Sequence, residues 1–573
     1  MTMKKSLSIV CALSIIIVLC LTVGCDKNNS PKVTESFASS DTTVQSENGE
    51  STTQDEDYES TISSVPDTTR NHEAEETTAG KEESSSSSAP DTTKNYETEE
   101  TTTSKEESSS SSALDTTKNY ETEETTAGKE ESSSIDPYKP IEPPIGKPDF
   151  GGRTFVIAAD PSAGSFGRAP SAEIDSEGTD IVSLAVRQRN KTIETLYNCK
   201  IELQAFYNAG SAVTAEMASG QHTIDLFTTS YNTKSLTLTG ASYNLYALGL
   251  NLDNSYWDQS YISTYSLKDN NGTTVLYSIL GDFALNAMSH THVMMFNKAV
   301  YEKAGITDDL YELVRTKKWT MDKFVEMCKA AENGSTDGNT RGWVRTGYAA
   351  HGLHCASALS IIENKDGAFH FAVDKNLSEW NTVIDKAIEI WNLNESETIL
   401  YSDILPALQN GSTLFASDII DTISQIKNSD ISLMPYPLYS ETQENYAHYV
   451  DYKMATYSVP IYVSDIEAIG EFLELFAYHS YDTVRDAWID TYAYEICADV
   501  NSGEMLELIL NTRTYDPAYH CFTDSSYGSP YETDISGIIL TGKNDITKWA
   551  KRHGASISEA LDDYIAAISY LHE

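Results

Sequence analysis

Apolar positions along the chain change period in a readable order. Thr154 to Ala159 (TFVIAA) is an unbroken apolar run, the pattern of a strand buried on both faces. Ile181, Leu184, Ala185, Ile193, Leu196 and Tyr197 then recur at helical spacing, and Ile201, Leu203 and Ala205 alternate as a strand. A short helix over Val213–Ala218 and a strand at Ile224–Ser230 complete strand, helix, strand, helix, strand, which predicts a largely parallel, doubly wound sheet. Further strands are predicted at Thr273–Ile279, His292–Asn297, Thr413–Asp418 and Tyr457–Val463. Helices are predicted at Ser378–Asn392, Ile404–Asn410, Ile466–His479 and Ile557–Leu571.

Between Phe296 and Gly334 the punctuation is strong. Asn297 can cap one helix that stops before Gly305, and Thr320 a second that stops at Gly334, so the stretch reads as two helices joined by a turn. Met321, Phe324, Val325, Cys328 and Ala331 share one face of the second. Trp319 and Phe324 have the spacing of a hydrophobic staple, which predicts a structural tryptophan.

Ahead of this ordered part the pattern vanishes. Residues 26–148 are Ser, Thr, Glu, Asp and Lys with few large apolar side chains, and cannot bury a core. Units of about 24 residues recur from Pro66, Pro90 and Leu114, without an apolar face that could stack. Acidic residues exceed basic ones there by roughly three to one, so repulsion should keep this tether extended, and Ile135–Pro148 ends it as proline-rich, stiff chain. Residues 1–25 carry two lysines, an apolar run from Leu7 to Val23 and Gly24 before Cys25, the layout of a secretory signal.

Composition narrows the function. The formal charge of -46 argues against nucleic acid as a partner, since phosphates attract Lys and Arg. Eight cysteines leave five beyond Cys25, an odd number at irregular spacing, which predicts buried small apolar residues better than a disulfide framework or a zinc ribbon. The chain lacks GxSxG, HExxH and P-loop motifs, and no cofactor is expected. His290 and His292 alternate along a strand but form only half a metal site, and Ser335–Asn339 (STDGN) reads as a turn because it lacks a calcium loop's ligand alternation.

Two stretches carry a family resemblance: FNK followed by KAGI and KWTMDKF (Phe296–Phe324), and the proline-broken PYP segment at Pro435. They resemble the extracellular solute-binding proteins of bacterial carbohydrate ABC transporters, the maltose-binding-protein class. Gly24–Cys25 likewise resembles a lipobox, with Thr22 where leucine is usual. The resemblance implies an α/β, two-lobe periplasmic-binding-protein-like fold (type II) joined by a hinge. It implies lobe 1 at 151–293 and 455–500 and lobe 2 at 294–454 and 501–573, with hinge strands near His292–Asn297 and Tyr457–Val463. It also implies no catalysis, lipidation at Cys25, placement on the outer face of the cytoplasmic membrane, and delivery of a sugar or oligosaccharide to permease subunits.

In open parallel sheets ligands bind beyond the carboxyl ends of strands. A sugar offers an apolar face for Trp or Tyr and hydroxyls for Asp, Asn, Gln or Arg. On those grounds Asp160, Tyr231, Trp257 and Asp282 are the expected ligand-binding residues of the first lobe, and Trp343 and Asp418 of the second. A tethered glycoside hydrolase and a surface adhesin on the same fold are the rival readings.

Overall fold

The computed structural model describes residues 145–162, 168–230, 237–335, 338–345, 349–393, 399, 401–426, 430–497, 499–522 and 530–570. All fall within one compact unit, Ala127–Glu573. The signal, Cys25, the repeats, Tyr231, Asp337 and Tyr348 lie outside the described residues.

Two four-stranded sheets organise this unit. In the first, Arg153–Ala159 pairs in parallel with Cys199–Ala205 and with Leu226–Thr229, and Thr456–Ser458 adds antiparallel to Leu226–Thr229. Helix Ile181–Tyr197 is capped by Asp180, whose side chain accepts from the Ser183 amide, and ends on Asn198 in the left-handed region. Its buried stripe is Val182, Val186, Arg189, Ile193 and Tyr197, whereas Leu184 and Leu196 are exposed. The helix is thus rotated from the expected face because Arg189 points inward, onto the Phe476 ring and the Glu173 carbonyl. Helix Ile466–Ser480 covers the same sheet, with Phe472 stacked on Phe155 at 4.1 Å.

In the second sheet the strand order is Ile431–Met434, His292–Asn297, Thr413–Ile419, Arg341–Val344. The chain therefore enters this sheet in its middle, on His292–Asn297, and both neighbours pair antiparallel to it. Beyond it the structure has three helices where the sequence suggested two. Lys298–Lys303 is capped by Asn297, Leu310–Arg315 by Asp309, and Met321–Gly334 by Thr320. The middle helix is a single short segment whose periodicity is too brief to register. Trp319 is fully buried, its ring 6.1 Å from that of Phe324, and its indole N–H donates to the Pro435 carbonyl at 2.9 Å. This is the staple geometry the spacing predicts.

Three other expectations change. The strand at Tyr457–Val463 stops at Ser458, since Pro460 has no N–H to continue a ladder and makes a lone bridge to Ser242. Thr273–Ile279 is a strand only at Thr274–Val275, with a bridge from Ile279 to Tyr457. The last helix begins at Ile546 and passes through Gly554. A Cβ there would lie 2.9 Å from the Phe371 ring, so this glycine serves close packing and does not break the helix.

Three stretches connect the sheets: the chain entering at His292, the return through Val450–Thr456, and a long helical run. That run packs on Ile181–Tyr197 at its start, and its last helix, Val500–Asn511, packs on strand Ile431–Met434. Wider turns at Tyr481–Arg485 and Thr491–Ile496 interrupt it. All five described cysteines, Cys199, Cys328, Cys355, Cys497 and Cys521, are buried and unbridged. No helix among the described residues is long and apolar enough to cross a membrane.

Candidate functional site

The carboxyl ends of strands Thr413–Ile419 and Ile431–Met434 meet the start of His292–Asn297, which puts the first two connections between the sheets against polar side chains. Val450–Thr456 returns beside them: the Asp451 amide donates to the His290 carbonyl at 2.9 Å. Here His290, His292, Ser417, Asp418, Tyr436 and Asp451 are all nine-tenths or more buried.

The electrostatics of this cluster follow from burial. Desolvation raises Asp418 to about 6, although the Ile419 amide and the nearby His292 favour its charged form. Burial also acts to raise Asp451, but His292, His290 and Lys453 more than offset it and hold it below the usual carboxylate range. Burial depresses His290, with Asp451 opposing that shift. Its Nδ1 lies 2.8 Å from the Asn286 carbonyl.

Several of these atoms have no hydrogen-bond partner. Neither ring nitrogen of His292 has one, and its Nε2 comes no nearer than 3.8 Å to Asp451. Asp418 Oδ2 has none either, and the Ser417 and Tyr436 hydroxyls lack one of good geometry although they lie close enough for Ser417 to act on Tyr436. Leaving such a group unsatisfied costs about 1–3 kcal/mol each, which marks this group of side chains as a candidate site. Tyr436 is held by Gly352, where a Cβ would come within 2.2 Å of the tyrosine oxygen.

Beside the cluster, Glu173 joins parts distant in sequence. It is fully buried and accepts from the Asn286 amide and from the Tyr457 hydroxyl. Asn286 in turn donates to the Arg168 carbonyl and accepts from the Ala455 amide, each at 2.7 Å. The first and second connections between the sheets are thereby pinned together on two side chains. Burial pushes the Glu173 carboxyl up to about 8, against the bonds from Tyr457 and Asn286 and the fields of Arg168 and Arg189.

The structure separates the residues expected from sequence. Asp418 is in the cluster. Asp160 stands at the end of its strand, where its carboxylate accepts from the amide and hydroxyl of Ser162. Trp257 and Asp282 lie together on a different cavity of about 1040 Å³, which none of the cluster's residues lines. Trp343 is apart from the cluster: its ring packs against Phe324 and Trp391 in the core of the second sheet. Of the cluster, His290 and His292 stood out in the sequence only as half a metal site. Among the described residues no group of three or more His, Cys, Asp or Glu could hold a metal ion. Glu173, Asn286, Ser417, Tyr436 and Asp451 gave no sequence signal beyond the PYP segment that contains Tyr436.

No protein-family model matches the chain, and no curated protein matches it. Solved structures similar to it include the GacH receptor of Streptomyces glaucescens, determined unliganded and with acarbose. That likeness has 12% identity, covers 72% of this chain and 99% of the other, and has a TM-score of 0.45. The sugar-binding protein MalE of Xanthomonas citri gives 9% identity, 73% and 99% coverage and a TM-score of 0.47. A family 1 extracellular solute-binding protein of Bifidobacterium longum subsp. infantis gives 13%, 74%, 99% and 0.41.

Proposed function

We propose that this protein is the extracellular substrate-binding lipoprotein of an ABC importer, and that it takes a sugar or oligosaccharide between its two sheets. One observation carries the reading: His292, Ser417, Asp418 and Tyr436 bring unpartnered polar atoms together where the chain connects the sheets. Sugar hydroxyls both donate and accept, so one such ligand can satisfy an imidazole, a carboxylate and two hydroxyls at once. The mechanism is binding without chemistry on the ligand. Closure of the two lobes about the connections exchanges water for these side chains, and the closed form is what the permease recognises. Cys25 supplies the lipid, and the acidic tether carries the domain outward from the membrane. The sequence resemblance at Phe296–Phe324 and Pro435 supports the same reading.

Titration calorimetry of the full chain with maltotriose and other oligosaccharides tests it. Binding is expected, with His292→Ala and Asp418→Asn each weakening it about tenfold to a hundredfold, as loss of a hydrogen bond to a charged or buried group predicts. Hydrolysis of a labelled oligosaccharide, or sugar affinity unchanged in both variants, would overturn the proposal.

A further inference from the structure

The cavity holding Trp257 and Asp282 is built from three parts of the chain. Trp257, Asp258 and Asp282 belong to one wall, Tyr478, Tyr481 and Arg485 of the long helical run to a second, and Glu507 and Arg513 to a third. Its ionic composition is lopsided. Asp258 is satisfied, with Arg513 at 2.8 Å and the Tyr515 hydroxyl at 2.6 Å. Asp282 is not. Only 8 % exposed, it has Arg485 Nε at 3.4 Å from Oδ1, and its Oδ2 has no hydrogen-bond partner. Asp482, Asp486 and Glu507 complete the acidic side, so five carboxylates face two arginines.

We propose that this cavity is a second binding site, which takes a small organic cation with protonated amine groups and seats one of them on Asp282. An anion would meet three uncompensated negative charges. A neutral sugar could donate to Oδ2 but would leave those charges in place. An ammonium group supplies N–H donors and positive charge together, at the one buried acceptor that lacks a donor. The rest of the wall suits carbon as well as charge: Trp257, Tyr478 and Tyr481 line it, and aromatic faces attract cations and cover methylene groups. A bare metal ion finds less, since no group of three ligating side chains occurs among the described residues. Burial raises Asp282 to about 7, with Arg485 and Arg513 opposing and Asp258 and Asp486 adding to the rise. A bound cation reverses that balance and expels a proton from the fraction of Asp282 that holds one near neutral pH.

Titration calorimetry of the full chain with putrescine and with spermidine, near neutral pH in two buffers of different ionisation heat, reads both affinity and proton release. Amine binding with buffer-dependent heat is expected. Asp282→Asn should weaken it at least about tenfold and abolish the proton release. The exposed rim variant Asp482→Asn/Glu507→Gln should weaken it several-fold, and it serves alone if Asp282→Asn fails to fold. Absence of amine binding overturns the site. So does amine affinity unchanged in the variants, or calcium binding in place of amine with the same sensitivity to Asp282→Asn. Loss of maltotriose binding with Asp282→Asn, without any amine binding, would make the cavity a sugar subsite and also overturn the proposal. His292→Ala should leave amine binding intact, which keeps this result separate from that of the sugar site.

Discussion

Replacing Glu173 with glutamine should flatten part of the protein's pH dependence of stability. The carboxyl is fully buried, and burial outweighs the donors around it, placing it near 8 in the folded protein against an ordinary 4.5. Between those values the folded chain keeps a proton that the unfolded chain has released. Stability from this group is therefore fully present below the unfolded value and is lost as pH rises toward 8, at about 1.4 kcal/mol per pH unit. From about pH 5.5 to about pH 7.5 the wild type should lose on the order of 2 kcal/mol relative to Glu173→Gln, whose amide carries no titrating proton. Asp282 and Asp418 titrate in overlapping ranges, but they are common to both proteins and cancel in the difference. Urea unfolding followed by tryptophan fluorescence at several pH values gives the comparison, provided the slope m is the same in both proteins. Parallel stability curves would refute the argument, because they would mean that Glu173 is ionised in the fold and that Arg168 and Arg189 govern it.

Two further substitutions separate scaffold from site. Trp343→Ala should cost about 3–5 kcal/mol in urea unfolding, as large aromatic truncations in a packed core do, while sugar affinity in the surviving folded protein stays within about twofold. Gly352→Ala should cost about 1–3 kcal/mol through overpacking against Tyr436, and because it displaces that hydroxyl it should weaken oligosaccharide binding in the same calorimetric assay.

Elements marked by local chemistry were legible in the chain. The first sheet's opening follows from an apolar run and an alternating one, and the Phe296–Gly334 segment follows from Asn297, Thr320 and the Trp319–Phe324 spacing. These are interactions within about a turn of helix or between neighbouring strands. What sequence missed depends on contacts across hundreds of positions. Arg189 turns a helix because Ser480 and Phe476 await it, 291 positions away in the case of Ser480. Glu173 matters because Asn286 and Tyr457 meet it. Trp343 looked like a sugar platform because an aromatic side chain near a strand end has the same composition whether it faces a cleft or a core. The last helix runs from Ile546, ahead of the expected Ile557, and only the fold reveals the phenylalanine ring that Gly554 accommodates within it. His290 and His292 were visible as a pair, but the Asp451 and Asp418 that define their surroundings come from strands and loops far along the chain.

The five buried cysteines have a consequence for how this protein can be made and watched. Burial raises the thiols of Cys199, Cys328 and Cys497 above their ordinary range, so the native molecule offers few thiolates to oxidants or to alkylating reagents. Among the described residues the fold holds no disulfide, so reaching it calls for no thiol–disulfide exchange at these five positions. The same thiols sit in both sheets' surroundings, on the strand start at Cys199 and the helix at Cys328. Mass-tagging at these positions would time the opening of each half of the molecule separately, with no label added beforehand.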